Sequence, residues 1–393
     1  MQWHSIRTKV VGALLLCLVV GMAGILVLMR YCFEHNARVL ATESVTGAQK
    51  LFGILESREI SKMTTAGDIL LTNAQFRDAL AAKDRDRLLA IAQPLMPELK
   101  QQGITNWIFH TVEPEQTVLL RVHNPGVSGD HLNRFMTKEV ARTHAVVSGS
   151  ELARAGFALR TIRPVYDAKG AVAGYVEFGE ELGSFARTMK EQTGNDYALL
   201  LNKKFVDRKN WADTSAALHR RDNWDDNAAY VLNDKTTASD DIMQFQGDLE
   251  SIPAEGEVLE RFQRDDSVLV RGLFPIHDAA GNAVGAIFVV RDITDFYVSV
   301  RQTQLVLMAV TVVVLALGAI VVVVLLNRLV FQRLRDIIQV ATRVVGGAYH
   351  TAIQVSGNDE VSQFEQLFEQ FRHVFVDVLS QVPQHHEREL QER

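Results

Sequence analysis

The stretch RTIRPVYDAKGAVAGYVEF occupies residues 160–178, and RGLFPIHDAAGNAVGAIFV occupies residues 271–289. Arg160 matches Arg271, Pro164 matches Pro275, Asp167-Ala168 matches Asp278-Ala279, Gly170 matches Gly281 and Gly174 matches Gly285. Asp at the turn start can bond the backbone with its side chain, and Gly supplies the positive φ that the turn needs. Alternating apolar residues on both sides make each stretch a hairpin. Gly174 and Gly285 fall inside the second strand, where a bulge or a close backbone approach calls for glycine. Two hairpins of one register predict two copies of a small α+β unit.

The elements before each hairpin support duplication. ITNWIFHT and QTVLLRVHN read as short strands around a turn at VEPE, GVSGDHLNRF as loop, and MTKEVARTHAVVSG as a helix ended by glycine. NDYALLLNKKF opens the second copy as a strand and turn, and paired strands follow over residues 257–291. Upstream, residues 32–63 read as one long helix. Shorter helices follow, with Thr72 or Asn73 as a cap, Pro94 and Pro97 as interruptions and Gly103 as the stop.

Residues 10–29 and 305–326 contain no charge. Each is long enough to cross a hydrocarbon core of about 30 Å as a helix, and the first exceeds the core of a signal peptide. Arg7 and Lys9 precede the first span, and Arg328, Arg333 and Arg335 follow the second. Positive flanks predict cytoplasmic termini and an extracytoplasmic segment between the spans. Tyr31, Phe296 and Tyr297 are candidates for the outer interface. On one helix Cys17 and Cys32 stand about 22 Å apart, too far for a disulfide. The net charge of -6 and the lack of a basic stripe with aromatics argue against a nucleic-acid partner.

The segments WIFHTVEPEQTVLLRVHNPGVSGDHL, RAGFALRTIRPVYDAKGAVAGYVEFG and LLLNKKFVDRKNW resemble the double Cache sensor domains of bacterial chemoreceptors and sensor kinases. The resemblance covers most of residues 40–294 and implies two PAS-like modules on a long helix, with one sheet face of a module turned to a ligand. On QTVLLRVHN, Val118, Leu120 and Val122 share one face, and Leu119, Arg121 and His123 share the other. The Arg/His face suits a small anion or carboxylate. Arg121 and His123 lead the candidate ligand residues, with Trp107, Tyr175, Glu177 and Arg160 behind them. The plain alternative is a structural ion pair of Arg121 with Glu177. Recurrence of Arg160 as Arg271 favours a structural role for both. RRDNWDDNAAYVLNDKTTASDDIM reads as a solvated acidic insert without metal-ligand spacing.

After the second span, Leu334, Ile338, Ala341 and Val345 form one apolar seam. Gly346-Gly347 closes it, AYHTAIQVSGN is an extended connector, and Asp359-Glu360 opens a helix whose seam runs through Val361, Phe364, Phe368, Phe371, Phe375 and Val378. This resembles a HAMP domain over residues 327–379, although the proline usual near the start of that family's first helix is missing. Two amphipathic helices need a second copy to bury both seams, so a homodimeric four-helix bundle is expected.

The expected fold class is α+β: two tandem PAS-like Cache modules on a long helix, two transmembrane helices and a helical HAMP dimer bundle. The segments are 1–9, a cytoplasmic N-terminus; 10–30 and 304–326, the spans; 31–303, the sensor, with modules at about 70–190 and 191–294; 327–380, HAMP; and 381–393, a tail. No nucleophile–base pattern or metal cluster stands out, so no enzyme activity, metal or cofactor is assigned. The expectation is a membrane receptor that relays a small ligand's binding to a separate cytoplasmic signalling partner. The alternatives are a membrane-anchored scaffold, or a remnant of a chemoreceptor or kinase.

Overall fold

The computed structural model describes residues 6–112, 116–153, 156–217, 219–239 and 243–391. Residues 113–115, in the expected VEPE turn, and 240–242, in the acidic insert, lie outside the described residues. Contacts divide the chain into residues 33–298 and a second unit made of the two ends.

Helix α1 is Ile6–Thr72, followed by α2 (Ala74–Ala81), α3 (Arg85–Ala92) and α4 (Met96–Gln101). Asn73 caps α2 by accepting from Gln75 N at 2.9 Å, and Gly103 takes a φ of +87° after α4. The first module continues with β1 (Asn106–Thr111), β2 (Val118–Arg121), α5 (Phe135–Thr143), β3 (Val147–Ala153), β4 (Gly156–Tyr166), β5 (Val172–Glu181) and α6 (Gly183–Thr193). The second holds β6 (Asp196–Asn202), α7 (Arg208–Ala217), β7 (Tyr230–Lys235), β8 (Glu257–Val258), β9 (Phe262–Arg264), β10 (Ser267–His277) and β11 (Ala283–Asp292), and leads into α8 (Thr294–Leu326).

Among the described residues the first sheet has the order β2-β1-β5-β4-β3 and the second β7-β6-β11-β10-β8, with β9 also on β10. The two orders correspond strand for strand. The hairpins agree pair by pair: Arg160 faces Gly179 as Arg271 faces Val290, and Val165 faces Gly174 as Ile276 faces Gly285, with a register shift one residue later in each. Asp167 Oδ1 accepts from Lys169 N and Ala171 N, as Asp278 Oδ1 accepts from Ala280 N and Asn282 N. Gly170 and Gly281 have φ of +81° and +87°. A Cβ on Gly174 would stand 2.6 Å from His110 O, and one on Gly285 2.2 Å from Leu200 O. Close approach of the neighbouring strand therefore selects glycine at both positions.

One face of each sheet packs on α1. Phe52, Leu55 and Met63 join Trp107, Phe109, Leu120 and Phe178 of the first module and Tyr197, Leu201 and Val289 of the second in one buried cluster. This alternation along the strands leaves the opposite faces for other uses. Two expectations change. Helix α5 ends at His144, in the left-handed region with φ +49°, and the glycine expected to end it, Gly149, lies within β3. The acidic insert contributes β7 rather than a wholly solvated loop. Phe296 and Tyr297 pack partly buried against Ala37, Ala41 and Val268, with Phe33 edge-on to Tyr297.

In the other unit, α1 and α8 are long and apolar enough to cross a membrane, and their apolar windows are unburied. Cys17 and Cys32 are both free. A π-helical turn, residues 327–331, joins α8 to α9 (Gln332–Val345), where the expected proline is missing. Helix α10 is Glu360–Gln391 and so continues through Pro383, past the boundary expected near 380. Asp359 caps α10 by accepting from Ser362 N. Hydrogen bonds from Ser362 and the nearby Arg333 guanidinium bring its carboxyl down to about 2. Arg333 also donates to Glu365 and Ser362, joining the start of α9 to α10. The contact within one chain buries Ile337 and Val344, whereas seam residues Ile338, Val345, Phe364 and Phe371 are exposed.

Candidate functional site

The free face of the first sheet carries charge. Residues Ile108 and His110 on β1, Arg160 and Ile162 on β4, and Tyr175 and Glu177 on β5 alternate with residues in the α1 core, as strand geometry requires. Over this face the β2–α5 connection folds back, pinned by the Thr117–His131 bridge and by Val118 N donating to Asp130 O at 2.9 Å. The start of α7 closes the far side. Between them lies a cavity of about 600 Å³ lined by Arg121, His123, Arg134 and Arg160 on the first module and by Phe205, Asp207, Asn210 and Trp211 on the second.

Glu177 organises the floor. Its side chain is fully buried, with Oε1 accepting from Arg160 Nη1 at 2.5 Å and Oε2 from Arg134 Nη2 at 2.6 Å. His110 Nε2 lies 3.1 Å from the same Oε2. Burial alone would raise this carboxyl, but Arg134 and Arg160 overcome it and hold the group well below the usual range. Glu151 on β3 completes the cluster, with Oε2 3.1 Å from Arg134 Nη1 and Oε1 accepting from Met136 N at 3.0 Å. Burial pushes the Glu151 carboxyl up and the Arg160 guanidinium down. The Nε–H groups of Arg134 and Arg160 are buried without a protein acceptor.

Arg121 forms a fork onto Asp130, at 2.6 and 2.9 Å, and also reaches Val127 O. It therefore braces the covering loop. His123 Nδ1 stands 3.1 Å from Trp107 N. Trp107 O already accepts from Val122 N at 2.9 Å, so Nδ1 serves best as the acceptor for the otherwise unpaired amide, which puts the imidazole proton on Nε2. Burial, then Arg121 and Arg160, push the His123 pKa below its usual value and keep the ring neutral. Donors dominate the unused hydrogen-bonding capacity of this pocket.

Of the six candidates, Arg121, His123 and Arg160 line the cavity. Trp107 does not: it is buried on the opposite face among Phe76, Phe109 and Phe178. Tyr175 packs with Met136, Val140 and Ile162 beside the cavity. Glu177 lies beneath it, and its ion pairs are with Arg160 and Arg134, not with Arg121. Arg160 and Arg271 share a register but not a role, since Arg271 stacks on Phe262 at 4.6 Å. Sequence reasoning missed Arg134, Glu151 and His110. Arg134 stands in what reads as loop, 43 residues from the acid it meets, and no periodicity connects the two. His110 was within reach, since it alternates with Ile108 on the face that Glu177 shares.

Residues 46–228 match the family model for a double sensory domain of two-component sensor kinases. No curated protein matches the chain significantly. Among solved structures, the periplasmic domain of Vibrio cholerae LuxQ is similar at 12% identity and a TM-score of 0.39, covering 63% of this chain and 98% of that one. The ligand-binding domain of the Campylobacter jejuni chemoreceptor Tlp3, in complex with L-valine, is similar at 10% identity and a TM-score of 0.32, covering 66% and 95%. The repeated sheets and the matched segment agree: residues 46–228 of this chain are similar to a double Cache sensor domain.

Proposed function

We propose that the chain is a membrane receptor that senses a small, oxygen-rich extracytoplasmic ligand, an anion such as a carboxylate, in the cavity over the first sheet. One observation carries the reading: two buried Arg Nε–H groups, on Arg134 and Arg160, are unmet by the protein at the edge of a cavity of about 600 Å³. A ligand oxygen that accepts from them relieves an otherwise costly arrangement, and charge assistance strengthens the bond. The cavity also touches both modules, so occupancy bears on their packing. Residues 10–30 and 304–326 serve as membrane spans, with both termini cytoplasmic. The exposed seams of α9 and α10 pair with a second copy as a HAMP-type bundle, which passes a shift of α8 to a separate cytoplasmic partner. The ligand can drive that shift only by its differential affinity for the two states.

The test is a thermal-shift screen of small carboxylates and other oxyanions on the full chain in nanodiscs. An oxyanion that stabilises the wild type, and loses at least about tenfold in affinity (about 1.4 kcal/mol) with Arg134→Gln, supports the reading. If no oxyanion binds, or the affinity is unchanged in Arg134→Gln, the reading fails.

A further inference from the structure

The second module has a pocket of its own, on the equivalent free face of its sheet. Leu200 of β6 and Tyr230 and Leu232 of β7 form its base, residues 243–246 cross one side, and Asn223, Asp226 and Asn227 close the other. Its volume is about 240 Å³, the room of roughly eight waters at about 30 Å³ each. Leu200, Met243 and Phe245 give it a buried apolar wall.

Most polar groups here are committed. Tyr230 hydroxyl accepts from Phe245 N at 3.0 Å and donates to Phe245 O at 3.1 Å, which fixes the crossing segment to the sheet. Asn227 Oδ1 accepts from Ala229 N and Tyr230 N, and its Nδ2 donates to Phe245 O. Asn223 differs. Its Nδ2 donates to Leu232 O at 2.8 Å, which sets the amide's orientation, because a carbonyl requires a donor. Its Oδ1 is then a buried acceptor with no protein donor. Asp226 adds a carboxylate to the same lining, with Oδ1 taking Arg221 Nη2 at 2.6 Å.

We infer that this pocket is a second binding site, for a small molecule that presents an N–H donor, as a primary amine or primary amide, on a compact apolar body. Asn223 Oδ1 receives the donor, Leu200, Met243 and Phe245 receive the body, and an anion, which brings only acceptors, leaves Asn223 Oδ1 unmet. The preference is opposite to that of the first module, where the unmet groups are donors. The site stands independently of the oxyanion reading, since the two pockets share no residue.

The experiment uses the full chain in nanodiscs with ¹³C-methyl methionine, the Met243 resonance being assigned by Met243→Leu. The probes are n-butylamine, n-butyramide and, as the anionic control, n-butyrate. The amine or the amide should shift the Met243 methyl saturably while butyrate leaves it in place, and Asn223→Leu should raise the probe's Kd at least about tenfold. The methyl shift is read in the unaltered chain, so the test survives a failure of Asn223→Leu to fold. The inference is overturned if neither the amine nor the amide moves Met243, if butyrate moves it equally, or if folded Asn223→Leu binds as tightly as the wild type.

Discussion

The two modules have one backbone plan and different contents. Their hairpins share register, turn chemistry and the glycine that admits a neighbouring carbonyl. Yet the free face of the first sheet buries Glu177 among Arg160, Arg134 and His110, while that of the second buries Leu200, Leu273, Phe288 and Phe245. The residues that dictate backbone geometry recur in both modules, and the ones that line the free faces differ. The contrast is sharpest at Arg160 and Arg271, which hold one position and meet a buried carboxylate in one copy and an aromatic ring in the other.

The largest expected break in this comparison comes from Glu177→Leu. It leaves two guanidiniums without their shared acid and should cost about 3–5 kcal/mol in urea unfolding, the range for removing one partner of a buried pair. In the second copy, Arg271→Leu should cost about 1 kcal/mol or less, since it removes a cation–π contact at a partly exposed site. Equal losses would mean that the buried acid among its arginines stabilises no more than the Arg271–Phe262 stack.

Glycine should behave alike in both copies. Gly174→Ala and Gly285→Ala each press a Cβ onto a carbonyl of the adjacent strand, and each should destabilise by about 1–3 kcal/mol. Gly285→Ala should be the worse of the two, because its approach is closer. If either substitution is neutral in thermal unfolding, the close approach is not what selects glycine there.

The smallest effect is one of pH. His123 titrates below its usual value in the folded chain. Its contribution is therefore present above the unfolded value of about 6.5 and is lost as pH falls through the lower folded one. Glu177, held well below the carboxylate range, contributes above its unfolded value near 4.3 and loses that contribution only in stronger acid. Between pH 8 and 5 the urea midpoint of the wild type should thus fall further than that of His123→Gln. Parallel curves would mean that the imidazole is not buried neutral.

Much of the scaffold was legible. Turn residues act locally: Asp167 and Asp278 bond amides two and four residues on, so their spacing announces the hairpin without knowledge of the rest. Strand alternation likewise put Arg121 and His123 on the free face. The same period 2 gave no way to rank Trp107, which sits one residue from the face it was expected to line, because a register is absolute only once neighbouring strands are paired.

Local chemistry in the sequence by itself determined two hairpins of one kind, two uncharged stretches of membrane-spanning length and two amphipathic helices after them. Tertiary structure decided which side chains meet. Arg134 reaches Glu177 across 43 residues only because the β2–α5 connection folds over the sheet. Asn223 Oδ1 lacks a donor only because Leu232 O fixes one end of the amide while the fold buries the other. Contacts between distant segments depend on how the chain closes on itself, and no local spacing encodes that closure.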